Sequence, residues 1–235
     1  MQRYFARIEN QIVNLSNEDQ HHILHVMRYR EGDLIEVVSE GKLFLCKIDT
    51  LNPLIIRVNH EIINNSELNK NVTLFFPLAK GDKIDLVVQK CTELGVNKIV
   101  LVSTKRCVVS FEKKDIDKKI SRFQKIAKEA SEQSKRLNIP EILGVFDIKN
   151  IPENLLCDIN LLAYEKESSN SSNKISSISK DSVSIFIGPE GGFEEDEVSY
   201  LNKVGFMNVS LGKRILRCET AAIYSLSVLS YLIED

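Results

Sequence analysis

Two short segments near the end of the chain hold the residue types that could do chemistry. The first, residues 186–198 (FIGPEGGFEEDEV), places Gly188, Gly191 and Gly192 between an apolar run and an acidic one. Glycines there permit positive φ and close backbone approach, and open α/β sheets bind ligands in the crevice beyond their strand C-termini. A phosphate is a poor match. No lysine follows as in a phosphate loop, Glu190 sits inside the segment, and Glu194, Glu195, Asp196 and Glu197 already complement the positive end of the next helix. Such a loop suits hydroxyls, amines or a sulfonium, with a tight structural turn as the alternative. The second segment, residues 211–222 (LGKRILRCETAA), has Gly212 ending a strand, Ile215 and Leu216 as apolar walls, and Arg217, Glu219 and Thr220 at the start of the last helix. Two adjacent strand-end loops form one pocket, unless Arg217 and Glu219 merely pair at a helix terminus.

Other chemistries are excluded by what is missing. The five cysteines, Cys46, Cys91, Cys107, Cys157 and Cys218, form no C-x-x-C pair, so no zinc site is expected and the thiols read as reduced and mostly buried. All four histidines, His21, His22, His25 and His60, precede the second half, which removes imidazole from any site there. The first residues, MQRYFARIENQ, lack an apolar signal core, and no apolar stretch approaches membrane-spanning length, so the default location is cytoplasmic.

The elements that must position these loops follow from periodicity. Residues 2–62 read as short strands, RYFARI, QIVNL, DLIEVVS, KLFLCKIDTL and LIIRVNHEII, separated by turn signals at Gly32, Gly41 and Asn52-Pro53. One helix interrupts them at 18–27, capped by Ser16 with Asp19, with Ile23, Val26 and Met27 on one side. Many short strands within 60 residues suggest a small barrel, of the type that carries RNA-binding surfaces. After a polar linker at 63–71 the rhythm changes: VTLFFPL, KIVLV, EILGVF, INLLAY, VSIFI and NVSLG alternate with helices, including a basic helix at 113–137, and this predicts a largely parallel sheet covered on both faces. The Ser/Asn/Lys stretch within 165–183 is too polar to pack and reads as a mobile insertion. The last helix, from Cys218 to Ile233, is apolar around most of its circumference, as burial by the core or by a second subunit would require. Net charge is −2 overall, yet residues 71–140 hold 15 basic against 8 acidic residues and residues 141–235 hold 8 against 15. The basic island is either a solvated helix face or an electrostatic footprint for nucleic acid.

GPEGGF and LGKRILRCETAA at this separation, with QKCTELGV at 89–96, KEASEQSKRLNIPEI at 128–142 and HHILHVMRYREGD at 21–33, together resemble the bacterial 16S ribosomal RNA (uracil-N3)-methyltransferase family. The resemblance implies an α/β protein in two parts: a small PUA-like β-barrel at 1–70 that binds RNA, and a SPOUT-class methyltransferase domain at 71–235 with a C-terminal trefoil knot. It also implies a homodimer that uses S-adenosylmethionine on 16S rRNA of the 30S subunit, with no metal and no membrane. Cofactor contacts would then fall on Leu162, Glu165, Ile187, Gly188, Gly191, Gly192, Leu211, Gly212, Ile215, Leu216 and Ala221. Arg217 would stabilise charge developing on the uracil oxygens, with Glu219, Glu93 or solvent taking the imide proton. RNA contacts are expected from Arg106 and Arg136 in the island 105–136, extended by Arg3, Arg7, Arg28 and Arg30. Rival readings are a knotted methyltransferase acting on ribose hydroxyls of tRNA and a noncatalytic RNA-binding assembly factor.

Overall fold

The computed structural model describes residues 1–164 and 179–234; Glu165 and most of the Ser/Asn/Lys stretch, residues 165–178, lie outside the described residues. The chain divides into one unit of Met1–Glu67 with Ser131–Asn138 and a second of Leu68–Ala130 with Ile139–Asp235. The end of the basic helix and its exit turn therefore cluster with the first unit, a departure from a simple boundary near residue 70.

In the first unit, β1 (Arg3–Phe5), β2 (Arg7–Glu9), β3 (Ile12–Asn14), β4 (Leu34–Ser39), β5 (Lys42–Leu51) and β6 (Leu54–Ile62) form one sheet in the order β1-β4-β5-β6-β3-β2. RYFARI, read as one strand, is broken at Ala6, whose N–H binds the Val38 carbonyl at 3.0 Å. Two-residue turns close the β2–β3 and β4–β5 hairpins, with positive φ at Asn10 and Gln11 and at Glu40 and Gly41, as the twist of tight hairpins demands. Tyr4, Ile35, Val37, Cys46, Ile48 and Ile56 fill the core between them.

The short helix α1 (Asn17–His21) starts as expected, with Ser16 Oγ accepting from the Asp19 N–H at 3.1 Å. It then widens into a π-helical turn, His22–Val26, with Met27 N–H donating to the His22 carbonyl five residues back at 2.8 Å. The wider turn rotates later side chains off the predicted face. Ile23 is buried, but Val26 and Met27 are 59% and 42% exposed.

Two expected RNA contacts belong to this unit's interior. Arg3 is buried, with Nε donating to Glu36 at 2.9 Å and Nη1 to the carbonyls of Lys135 and Arg136. Arg136 is buried as well, with Nη2 donating to Glu67 at 2.6 Å. Glu67 also accepts from the backbone N–H of Leu137 at 2.6 Å. Buried cations persist only when paired in this way, so both are structural residues. Arg7 and Arg28 remain exposed.

The second unit alternates strand and helix: β7 (Asn71–Pro77), α2 (Lys83–Glu93), β8 (Lys98–Ser103), α3 (Lys113–Gln133), β9 (Glu141–Asp147), β10 (Ile159–Ala163), β11 (Ser182–Phe186), α4 (Glu195–Lys203), β12 (Phe206–Val209) and α5 (Cys218–Glu234). Every strand pair is parallel, in the order β12-β10-β11-β7-β8-β9. The apolar runs are continuous because both faces are covered. Val72, Leu74 and Phe76 pack with Val87 and Val88 of α2, Phe123 of α3, and Leu226 and Leu229 of α5. On the other face Phe75 and Phe186, with ring centroids 5.4 Å apart, meet Val198 and Leu201 of α4. Arg122 of α3 holds Asp85 of α2 through two bonds of 2.6 Å. Among the described residues, no helix is long and apolar enough to cross a membrane.

Because β12, β10 and β11 are parallel neighbours, the loops leaving their C-terminal ends emerge on one edge of the sheet. That edge carries both glycine-containing segments.

Candidate active site

A cleft of about 430 Å³ opens where these loops meet. Ile187, Gly188, Gly191, Gly192, Leu211, Gly212, Ile215, Leu216, Arg217 and Ala221 all line it, joined by Ala163, Tyr164 and Glu190. Leu162 is the exception among the described candidates: it is fully buried in the core beside Phe75 and Phe186, supporting the cleft from beneath. Glu165 lies outside the described residues. Ile215, expected as a wall, is 90% exposed and projects from the rim.

The glycine loop needs its glycines for space and for conformation. A Cβ on Gly188 would stand 2.9 Å from the ring of Phe193, which is buried and has no room to move. Gly192 has φ +70° and donates its N–H to the Pro189 carbonyl at 2.9 Å, a conformation that favours glycine. Beyond the loop, Glu194 caps α4 in a capping box with Glu197. Glu197 is fully buried: one oxygen accepts from the Glu194 N–H at 2.9 Å and the other from the Lys105 N–H at 2.8 Å.

Arg106, expected to contact RNA, is exposed but already paired. Its Nε donates to Glu194 at 2.9 Å and its Nη1 to the Gly191 carbonyl at 2.8 Å, so its guanidinium fastens the glycine loop. Beside it, Asp196 accepts from Lys105 at 2.7 Å and from Lys149 at 3.2 Å, and the two ammonium groups hold its carboxyl below the usual range. In the sequence, nothing but a basic pair after a strand marked these residues.

On the opposite side, Lys83 at the start of α2 donates to Glu190 and lies 3.4 Å from Glu219. The sequence reading missed Lys83, whose partners lie more than 100 residues away. Burial pushes the Glu219 carboxyl up, but its own backbone N–H, the Cys218 thiol and Lys83 together hold it below its ordinary value. The Cys218 thiol, 3.3 Å from Glu219, is pushed up to about 11 by burial and that neighbouring carboxylate. Arg217 therefore does not pair with Glu219. It is exposed, with no hydrogen-bond or ion-pair partner for its side chain among the described residues. Glu93, the other candidate base, is paired to Lys90 at 2.8 Å on α2 and does not line the cleft.

The cleft thus offers backbone groups at two glycine turns, apolar contacts from Ile187, Leu211, Leu216 and Ala221, a carboxylate at Glu190, and the cations Lys213, Arg214 and Arg217, uncommitted among the described residues. Its glycine loop, residues 188–192, carries no lysine of its own, and the cleft suits a ligand with apolar, hydrogen-bonding and cationic parts.

Comparison with known proteins bears on what that ligand is. A family model described as an RNA methyltransferase domain matches residues 66–230, and one described as an RNA methyltransferase PUA domain matches residues 15–58. The ribosomal RNA small subunit methyltransferase E of Bacillus subtilis is 37% identical, with 100% of this chain and 98% of that protein covered. The ribosomal RNA small subunit methyltransferase E 2 of Borreliella burgdorferi is 31% identical over 92% of this chain and 89% of that one. The crystal structure of a ribosomal RNA small subunit methyltransferase E from Neisseria gonorrhoeae bound to S-adenosyl methionine is similar, with a TM-score of 0.84, 29% identity, and 99% and 98% of the two chains covered.

Proposed function

Since this chain belongs to the RNA methyltransferase family whose domain spans residues 66–230, we propose that it methylates N3 of a uridine in 16S rRNA, using S-adenosylmethionine as donor. The observation that carries the reading is the cleft itself: two glycine turns at parallel strand ends, with Arg217 unpaired at its rim among the described residues. Backbone groups of Gly188, Gly191, Leu211 and Leu216 would hold the cofactor, with Ile187 and Ala221 as apolar contacts, and Glu190 matches its cationic portion. When bound, S-adenosylmethionine supplies an electrophilic methyl on a sulfonium.

The remaining work falls to this chain's residues. Arg217 faces the charge that develops on the uracil oxygens as N3 loses its proton, where a pre-placed cation favours the transition state over the ground state. Glu190 and Glu219 are both tied to Lys83, so neither acts as a general base, and the imide proton leaves to solvent. The C-terminal trefoil knot of SPOUT-class enzymes is supported by α5 packing in the core with α2 while the loops after β10, β11 and β12 converge on its start. A homodimer is supported by Tyr224 and Tyr231, 46% and 70% exposed on that otherwise apolar helix. The substrate is the 30S subunit, in the cytoplasm, with the first unit as an RNA-binding module.

The test is methyl transfer from labelled S-adenosylmethionine to 30S subunits from a strain lacking the enzyme, with nucleoside mass spectrometry. 3-Methyluridine is the expected product. Label on a ribose or another base overturns the target, and no transfer at saturating cofactor overturns the activity.

A further inference from the structure

The cations around the cleft fall into two sets. On the glycine-loop side Lys83, Lys105, Arg106 and Lys149 are each committed to a carboxylate, Glu190, Asp196, Glu194 and Asp196 respectively. On the facing loop, 210–217, Lys213, Arg214 and Arg217 are exposed and none has a hydrogen-bonded or ion-paired side-chain partner among the described residues. Ile215, in their midst, is 90% exposed.

This loop is shaped to project its middle. Ser210 Oγ accepts from the Gly212 N–H at 3.3 Å, closing a turn at a glycine with φ +111°. Leu211 and Leu216, at the two ends, pack against the core below, and Cys218 is buried in it. Lys213, Arg214 and Ile215 are left outside these anchors, at the rim of the cleft. Clustered cations without counter-ions repel one another until an anion arrives, and an exposed aliphatic side chain among them gains by covering a nucleobase.

Building on the methyltransferase reading above, we infer that Lys213 and Arg214 grip the RNA phosphates flanking the target uridine while Ile215 packs on the unstacked base. N3 lies on the pairing edge of uracil, so the base must leave its partner to react. Enzymes that act on an extruded base hold it by stacking against aromatic or apolar side chains. Phosphate contacts fix register, which leaves Arg217 for the reacting ring.

The test compares the full-length protein with the Lys213→Gln/Arg214→Gln double variant and with Ile215→Ala. Affinity for 30S subunits from a strain lacking the enzyme is measured between about 50 and 200 mM KCl, with cofactor affinity measured separately by calorimetry. Two lost phosphate contacts make the slope of log K against log salt shallower by about 1.4 to 1.8, with cofactor affinity retained. Ile215→Ala keeps the slope and lowers kcat/KM roughly five- to tenfold, as loss of a single base contact does. An unchanged slope in the double variant overturns the phosphate grip. Weakened cofactor affinity in that variant also overturns it, because the cations would then serve the cofactor's carboxylate. Unchanged kcat/KM in Ile215→Ala overturns the base contact. Wild-type protein that binds the particles with a steep slope but transfers no methyl group refutes the methyltransferase reading separately.

Discussion

Glu197→Ala is the substitution whose consequence can be worked most fully from contacts. Glu197 is fully buried, and its two oxygens accept the backbone N–H groups of Glu194 at 2.9 Å and Lys105 at 2.8 Å. Alanine leaves both donors without acceptors, costing about 1 kcal/mol each at the low end because the sites are only partly buried. Loss of one buried methylene adds about 0.8 kcal/mol. The sum is about 3 kcal/mol. Glu197→Gln keeps one carbonyl oxygen but turns an NH2 toward the other donor, so roughly half of that loss is expected. With no tryptophan in the chain, urea unfolding is followed by far-ultraviolet circular dichroism. At a slope of about 2 kcal/mol per molar urea, Glu197→Ala lowers the midpoint by about 1.5 M. Asp196→Asn is the control: that carboxylate is exposed, so its midpoint stays near wild type despite two ion pairs. Because Glu197 ties the end of the glycine loop to the segment after β8, whose Arg106 fastens Gly191, cofactor affinity falls together with stability. A Glu197→Ala midpoint within about 0.3 M of wild type refutes the assignment.

Three further outcomes follow from the site. Arg217→Ala lowers methyl transfer by about 10² to 10³ while cofactor affinity changes little, and equal loss of both contradicts a charge-stabilising role. Gly188→Ala forces a methyl group to within 2.9 Å of the buried Phe193 ring, costing about 1–3 kcal/mol of stability and weakening cofactor binding in calorimetry; wild-type behaviour in both shows that the loop yields. Glu219 titrates below its ordinary value of 4.5, so its contribution is fully present above that pH and is lost as pH falls through the lower folded value. The urea midpoint of wild type therefore drops more between about pH 5 and 3 than that of Glu219→Gln, and parallel curves reject the Lys83–Glu219 linkage.

The parallel sheet was legible because its signal is local: 71–77 and 98–103 are apolar runs with nearby glycine stops, every such run became a strand, and the central ones are buried on both faces. The two cleft loops were legible for the same reason, since glycines at strand ends mark backbone approach wherever they occur. The unpredicted features depend on partners remote in sequence. Nothing near Arg3 announces Glu36 or the carbonyl of Lys135, and nothing near Lys83 announces Glu190, 107 residues on. An arginine reads as a surface cation until its carboxylate is located, and Arg3 and Arg136, both buried, were misassigned on that ground. The π-helical turn after α1 escaped for a different reason: a 3.6-residue period has no signature for one widened turn, so Val26 and Met27 were placed on the wrong face.

The same partnering reverses the meaning of the charge asymmetry. Read along the chain, 71–140 is the basic segment and 141–235 the acidic one, and nucleic acid would be sought on the former. Within the second unit the two segments largely neutralise each other at the cleft: Lys83, Lys105 and Arg106 from the basic segment are paired with Glu190, Glu219, Asp196 and Glu194 from the acidic one. What these pairs accomplish is mechanical, since they bind the glycine loop and the starts of α2, α4 and α5 into one frame. The cations at the cleft left to meet an anion, Lys213, Arg214 and Arg217, belong to the segment with net negative charge. Electrostatic attraction to RNA depends on cations whose charge is not already cancelled, so at the cleft these three residues in one loop outweigh Lys83, Lys105 and Arg106, whose side chains already hold carboxylates.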